Sequence, residues 1–333
     1  MTWLVWRQHR AQFSVGAALL AALAVLLLIT GLQAASQYHS ALAACAATHS
    51  CANLASTLFH GSHAVGFLVI MTLGAPILVG LFWGAPLVAA ELETGTSQFA
   101  WMQSVTRRRW LAVKTGWMLL AAAIWGGVVS ALVTWWSGPD NALQLDQFKP
   151  GRFDIMGIVP VAYALFAMAL GIAAGTLLRR TLPAMAITLA GFITVRATVT
   201  LWLRPHYMSA VTVTYNLLRG YTPAGSYWQL GQGILDPSGH LVPQPNGPAV
   251  FGIPLGYLPA SCGAPTRGAN IVTPSCRSAL SAFRGFVSYQ PADRYWAFQG
   301  IETGIFVLLA AILITVAAVM LLRRDALEGG RGP

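Results

Sequence analysis

Twenty consecutive residues near the N-terminus carry no formal charge and read Phe13-Ser-Val-Gly-Ala-Ala-Leu-Leu-Ala-Ala-Leu-Ala-Val-Leu-Leu-Leu-Ile-Thr-Gly-Leu32. A helix of this length spans about 30 Å, which is the thickness of the hydrocarbon core of a bilayer. Arg7 and Arg10 precede the run, as in a signal peptide, but the run exceeds the ~7–15 apolar residues of a signal peptide. We therefore predict a membrane-spanning helix.

The whole chain has the same apolar character. Only 9% of its 333 residues are charged, against about 25% in soluble proteins. No charged residue occurs between Ala11 and Ala90, and a water-facing surface cannot be built from such a stretch. The composition thus predicts an integral membrane protein. The sequence also excludes an ATPase acting alone. Its only two lysines, Lys114 and Lys149, do not lie in a phosphate-binding Gly-x-x-x-x-Gly-Lys-Ser/Thr loop.

Five further apolar segments are long enough to cross a bilayer. The six predicted spans are Phe13–Leu32, Ala64–Ala89, Leu111–Trp135, Ile155–Leu178, Leu182–Leu203 and Ile301–Leu322. We predict an all-α integral membrane protein with six transmembrane helices, an N-terminal interfacial helix and an extracellular cap between helices five and six. Residues 1–203 then hold the interfacial helix and spans one to five, residues 204–299 form the extracellular segment, and residues 300–333 hold span six and a cytoplasmic tail.

The basic residues predict the orientation, because Lys and Arg are enriched in cytoplasmic loops. With the N-terminus inside, 11 of the 20 basic residues lie on the inner side. We therefore expect a multi-pass protein of the plasma membrane with both termini cytoplasmic. All four cysteines then lie outside, where disulfides persist. We predict the bridges Cys45–Cys51 and Cys262–Cys276, with four free thiols as the alternative.

Two segments are not simple spans. The segment Trp3–Arg10 mixes tryptophans, which favour the headgroup level, with arginines that reach phosphate, and predicts an interfacial helix along the inner leaflet. A frayed terminus with an aromatic anchor is the alternative. Residues 204–299 are too long for a loop and hold seven prolines between Pro237 and Pro265. We expect a small cap with short re-entrant helices, where Ser278–Tyr289 suits a helix or, nearly as well, a strand.

Polar and small residues inside the spans predict contacts between helices. Arg196 lies within span five, where a charge must face protein or water and find a partner. Glu302 begins span six, so we predict an Arg196–Glu302 pair or a shared polar patch; the alternative is that Arg196 extends outward to the interface. The patterns Gly80-Leu-Phe-Trp-Gly84 and Gly171-Ile-Ala-Ala-Gly175 let helix backbones approach closely, and we expect them to pack within the chain.

The loop between spans two and three reads Glu91-Leu-Glu-Thr-Gly-Thr-Ser-Gln98, and three arginines follow at 107–109. Two carboxylates come directly after an uncharged span, and Gly95 then breaks the chain. A short amphipathic helix after this break would dock into a cleft on a cytosolic partner. A solvated turn with a positively charged cluster is the alternative. That alternative suits the arginines, but carboxylates at this place have no role in topology.

This order of elements resembles the membrane subunit of ATP-binding-cassette (ABC) exporters of the type-2 class, and most closely actinobacterial permeases of that class. The matching strings are Trp3–Arg10, Glu93–Lys114, Ile158–Pro183, Leu201–Met208 and Pro291–Glu302. The resemblance implies a separate cytosolic ABC ATPase that holds ATP and Mg, a second copy of this chain, and a coupling helix near Thr94–Gln103. The residues that it implies in coupling to the ATPase are Glu91, Glu93, Gly95, Thr96, Gln98, Arg107 and Arg108.

We therefore expect the permease half of an ATP-driven exporter, with no catalysis and no cofactor in this chain. The histidines of the first outer loop lack the spacing of a zinc site, so we expect no metal. No nucleic-acid motif is present, and the inner belt of basic residues suits membrane lipids instead. The alternative is a six-span envelope sensor or scaffold whose outer domain binds a ligand.

Overall fold

A computed structural model describes residues 2–48, 63–94, 107–138, 148, 151–225, 227–245, 249–258, 262 and 273–328. The helices are α1 (Thr2–Thr48), α2 (His63–Val79), α3 (Ala85–Glu93), α4 (Arg107–Trp136), α5 (Arg152–Ile155), α6 (Val159–Leu178), α7 (Thr181–Thr198), α8 (Pro274–Ser281) and α9 (Tyr295–Glu328). The strands are β1 (Val211–Asn216), β2 (Tyr227–Leu235), β3 (Ala249–Val250), β4 (Ile253–Pro254) and β5 (Arg284–Pro291). Short π-helical segments, Gly80–Gly84 and Val199–Leu203, follow α2 and α7.

The chain divides into two compact units. The helical unit comprises residues 1–145, 149–207 and 296–333, and the sheet unit comprises residues 146–148 and 208–295. Within the described residues, six helical stretches are long and apolar enough to cross a membrane: Ser14–Ala47, Val69–Glu93, Arg109–Trp136, Val159–Leu178, Thr181–His206 and Ala292–Leu322. The six predicted spans are thereby confirmed, and the chain is a multi-pass membrane protein.

The first helix differs from the expectation at both ends. It runs without a break from Thr2 to Thr48, so the structure does not separate an interfacial helix from the first span. No Gly or Pro interrupts the sequence before Gly16, and the segment after Leu32 is rich in alanine, the strongest helix former. Cys45 consequently lies in the last turns of α1 and not in a loop.

The fourth span, α6, lies at the centre of the helical unit. It is the most buried of the six described spans and packs against spans two, three and five. Its side chains Ala164, Met168 and Ile172 belong to a fully buried cluster with residues of spans two, three and six. A helix that is apolar all round suits such a central place.

Glycines bring spans two and four into close contact. A Cβ atom on Gly80 would lie 2.5 Å from the carbonyl oxygen of Ala167, and one on Gly171 would lie 2.5 Å from the carbonyl oxygen of Gly80. A Cβ atom on Gly175 would lie 2.6 Å from the carbonyl oxygen of Ala85. No side chain larger than hydrogen fits these positions without movement of the backbone. The predicted packing of the two small-residue patterns within the chain is confirmed.

The sheet unit contains β structure that the all-α expectation did not include. Its main sheet has three antiparallel strands in the order β1-β5-β2, with a β-bulge between Gln229 and Gly231. Beside the sheet, α8 packs into a small apolar core with Ile253, Leu280 and Phe283. The disulfide Cys262–Cys276 lies in this core. The segment Ser278–Tyr289 is divided between the end of α8 and β5, so the strand alternative is correct for its second half.

Candidate functional site

The predicted coupling segment lies only partly within the described residues. Helix α3 ends at Glu93 and α4 begins at Arg107, whereas Gly95, Thr96 and Gln98 lie outside the described residues. The side chains of Arg107 and Arg108 also lie outside the described part. The structure therefore describes the two helices that flank this segment and the carboxylates that precede it.

Glu91 faces the helical bundle and forms an ion pair there. Its Oε1 lies 2.5 Å from Nζ of Lys114 on α4, and the Lys114 side chain is only 2% exposed. The ammonium group also lies 5.1 Å from the centre of the Trp110 ring. A buried ammonium group needs a counter-charge because its hydration is lost. Glu91 supplies that charge, so it joins the end of span two to span three. Its role in coupling to an ATPase stays a prediction.

Glu93 joins the same end of span two to the start of span five. Its Oε2 accepts hydrogen bonds from the backbone N–H of Thr181 at 3.0 Å and from the Thr181 hydroxyl at 2.9 Å. Thr181 is the first residue of α7, where backbone N–H groups have no partner within the helix. A carboxylate at this place acts as a helix cap supplied from another helix and also suits the positive end of the helix dipole.

A second polar site lies deep in the helical unit. Arg204 is fully buried and directs its guanidinium group at two carboxylates. Its Nε and Nη2 donate to the two oxygens of Glu302 at 2.8 and 2.7 Å, and Nη2 also forms an ion pair with Asp154. The Tyr163 hydroxyl lies 2.5 Å from Oε1 of Glu302 and 3.2 Å from Oδ1 of Asp154. We call Asp154, Tyr163, Arg196, Arg204 and Glu302 the ionic cluster.

Arg196 enters this cluster from the preceding turns of span five. Its Nη2 lies 3.2 Å from Oδ2 of Asp154, and its Nη1 donates to the backbone oxygen of Leu73 at 2.9 Å. The guanidinium carbon lies 4.7 Å from the centre of the Tyr163 ring. Arg196 and Glu302 therefore share one polar cluster, but these two described residues form no direct ion pair. The closer arginine, Arg204, follows the π-helical segment and donates to both oxygens of Glu302 through its Nε and Nη2.

The ionic cluster is balanced, with two arginines against two carboxylates. Burial opposes ionisation of Asp154, but the positive charges of Arg204 and Arg196 outweigh it and hold the pKa of Asp154 below its usual value. Such a group binds helices together. It connects residues of α2, α5, α6, α9 and span five, at the ends of the spans that are extracellular in the predicted orientation.

The sequence prediction missed Asp154 and Arg204. Both were assigned to segments just outside a span, where charged residues are expected in contact with water. The sequence did carry a signal. Arg196 and Glu302 are isolated charges of opposite sign within predicted spans, and charges there require further polar partners. The identity of those partners depended on the tertiary fold, which brings α5 and the end of span five next to α9.

One more buried side chain connects the same elements. Oε1 of Gln299 on α9 accepts from the backbone N–H groups of Ile158 and Val159 at 3.0 and 3.1 Å. Its Nε2 donates to the backbone oxygens of Phe153 and Met156 at 3.1 and 3.2 Å. A single amide thereby satisfies four backbone groups at the break between α5 and α6, where no helix hydrogen bond is available.

Of the predicted disulfides, Cys262–Cys276 is formed. Cys45 is also disulfide-bonded, and its predicted partner Cys51 lies outside the described residues. Among the described residues, no group of three or more His, Cys, Asp or Glu side chains is placed to hold a metal ion.

Comparison with known protein families gives a match. The model of a family described as ABC-2 membrane transporter related matches residues 17–204, which is more than half of the chain. The matched region begins in α1 and ends at the buried Arg204. No curated protein and no solved structure shows significant similarity to this chain.

Proposed function

We propose that this chain forms the export path of an ATP-driven exporter. It belongs to the ABC-2 membrane transporter related family and is thus a membrane permease of an ABC transporter. In this proposal two copies enclose the path, and each copy binds a separate cytosolic ATPase that holds ATP and Mg. Both termini are cytoplasmic and residues 204–299 form an extracellular cap. The closer resemblance to actinobacterial permeases is part of the same proposal.

The family match over residues 17–204 carries the proposal, because it covers five of the six spans and the loop between spans two and three. We propose that residues 95–106 of this loop contact the ATPase, with Gly95, Thr96, Gln98 and the arginines at 107 and 108 at the contact. Many membrane proteins have six spans, including a sensor with an outer ligand-binding domain. Binding of a partner ATPase is therefore the property to test.

The contacts of Glu91 and Glu93 support a mechanical role for this loop. Glu91 holds the end of α3 to Lys114 on span three, and Glu93 holds it to Thr181 on span five. A movement of the loop would therefore reach three spans at once. We propose that ATP binding draws the ATPases together, displaces the loop and, through these two contacts, rearranges the spans so that substrate moves outward.

The first experiment is purification of the tagged chain from its native membrane in mild detergent, with subunit masses and ATP hydrolysis as readouts. We expect an ATPase to co-purify and the variant Thr96→Ala/Gln98→Ala to lose it. Ser278→Ala, an exposed position in the sheet unit, is the control and should retain it. Absence of any ATPase, even after crosslinking in the membrane, would contradict the exporter proposal and favour the sensor.

A second experiment distinguishes an internal role of Glu93 from direct contact with the ATPase. If the hydrogen bonds to Thr181 transmit movement, Glu93→Ala and Thr181→Val should both leave the ATPase bound and hydrolysing ATP but reduce export, by about tenfold each. If Glu93 instead binds the ATPase, Glu93→Ala alone should release it and Thr181→Val should behave as the unmodified protein. Export is followed as ATP-dependent loss of a labelled amphipathic compound from cells.

A further inference from the structure

An apolar groove of about 400 Å³ lies between the third and sixth spans. Its walls include Leu111, Thr115 and Gly116 of α4 and Ile314, Ala317 and Leu322 of α9. This volume falls within the range of about 300–1,000 Å³ that is typical of small-molecule sites. The groove belongs wholly to the helical unit.

The walls suit a hydrocarbon chain. Thr115 is the only one of these six residues with a polar side chain, and its hydroxyl donates to the backbone oxygen of Leu111 at 2.7 Å. Gly116 opens the wall further, because no heavy atom lies within 4 Å of the place where its Cβ would be. The groove therefore presents apolar atoms and lies at the surface of a unit whose surroundings are lipid.

Arginines are concentrated in the sequence next to one end of the groove. Spans three and six run in opposite directions because two spans lie between them, so Leu111 and Leu322 lie at the same end. Arginines occupy positions 107–109 at the start of α4 and positions 323 and 324 directly after Leu322. Against these five arginines, the end of α9 carries two carboxylates, Asp325 and Glu328. Arg109 is exposed, whereas the nearby Lys114 is buried and already paired with Glu91.

Charge complementarity therefore defines the occupant. An apolar groove that ends at an excess of arginines matches a molecule with a long hydrocarbon chain and an anionic headgroup. Arginine binds phosphate oxygens through parallel N–H groups, and juxtamembrane basic residues attract anionic lipids. An apolar helix of a second copy would fill the groove but would not use the arginines.

We propose that this groove is a binding site for one anionic phospholipid, with an acyl chain between α4 and α9 and the phosphate at the end of the groove next to which the chain carries arginines 109, 323 and 324. The lipid stabilises the contact between spans three and six at this end. The site does not depend on the exporter proposal, since it is defined by the fold and charge of this chain alone.

The test is native mass spectrometry of the full purified chain, together with any subunit that co-purifies, after addition of phosphatidylglycerol or phosphatidylcholine. We expect one phosphatidylglycerol to be retained per chain, in preference to phosphatidylcholine. Arg109→Gln/Arg323→Gln should weaken phosphatidylglycerol binding by about fivefold per arginine and leave phosphatidylcholine binding unchanged. Arg277→Gln, an exposed arginine of the sheet unit, should change neither.

Gly116→Leu fills the groove and tests the acyl-chain position. It should abolish retention of the lipid, whereas Gly127→Leu on the same helix should not, since its Cβ also meets no atom within 4 Å but lies outside the groove. Thermal unfolding without lipid should be similar for both variants. Equal lipid retention by both variants, equal affinity for the two lipids, or loss of a dimer in Gly116→Leu with unchanged lipid binding would each overturn the proposal.

Discussion

Arg204 joins three helices of the helical unit through one buried guanidinium group. It is fully buried and is the centre of an ionic cluster that connects α5, α6 and α9. A buried ion pair contributes little net stability when compared with an apolar replacement, because the charges lose their hydration. Removal of only one partner is much more costly, since the remaining charge stays buried without compensation.

We therefore expect Arg204→Leu to destabilise the protein by about 3–5 kcal/mol. The double variant Arg204→Leu/Glu302→Leu should recover most of this loss, because it removes one charge of each sign and leaves Asp154 paired with Arg196. The measurement is thermal unfolding in detergent, with the exposed Arg219→Leu as control. If the double variant were less stable than Arg204→Leu, the balance of charge would not be what matters in the cluster.

At the scale of elements, the contact between spans two and four is set by backbone proximity. Spans in lipid gain little from burying apolar side chains, so close van der Waals packing is the main attraction between them. Gly80, Gly171 and Gly175 allow that approach, and the same glycines lie around the π-helical segment Gly80–Gly84. The fourth span can occupy the centre of the bundle because its neighbours meet it over small residues.

This packing predicts opposite outcomes for two glycines of the second span. Gly80→Ala should destabilise the protein by about 1–3 kcal/mol, because the added Cβ would overlap the Ala167 backbone. Gly74→Ala should be neutral or slightly stabilising, since nothing lies within 4 Å of its Cβ position and alanine is the better helix former. Unfolding of both variants in detergent compares them directly, and equal stabilities would contradict the packing argument.

At the scale of the whole molecule, the chain combines two units with different sources of stability. The helical unit is held by apolar and small-residue packing between spans, whereas the sheet unit has a small core with a disulfide in it. A small core gives little free energy of folding, and a crosslink that closes a short loop adds to it by restricting the unfolded chain.

We expect Cys262→Ser/Cys276→Ser to destabilise the sheet unit by about 3 kcal/mol, while the six spans stay folded. Limited proteolysis of the full chain in detergent should then cut within residues 208–295 faster than in the unmodified protein. Ser275→Ala/Ser278→Ala on the same helix, at exposed positions, is the matched control. Faster cleavage of the loops between the spans as well would show that the two units unfold together.

The prediction of the site from sequence succeeded for the small residues and for the shared polar patch of Arg196 and Glu302, but it missed the direct partners of these two charges. The glycine patterns permit close contact between helices, so their role could be proposed from spacing before the contact was seen. The partners of Arg196 and Glu302 could not be derived in this way, because Asp154 and Arg204 come from segments that look water-exposed. The same limit applies to Glu91 and Glu93, whose position after a span gives no information about Lys114 or Thr181.

The amino-acid sequence by itself determined the six spans and the membrane environment, and it favoured the disulfide Cys262–Cys276 over free thiols. These properties depend on local length, composition and spacing, which physical rules convert into structure without knowledge of the fold. Tertiary structure alone decided the partners of the buried charges, the central place of the fourth span and the sheet between residues 211 and 291. The alternating Val-Thr-Val-Thr-Tyr at 211–215 marks a strand, but its pairing with β5 joins residues far apart in the chain, and no local pattern specifies such a contact.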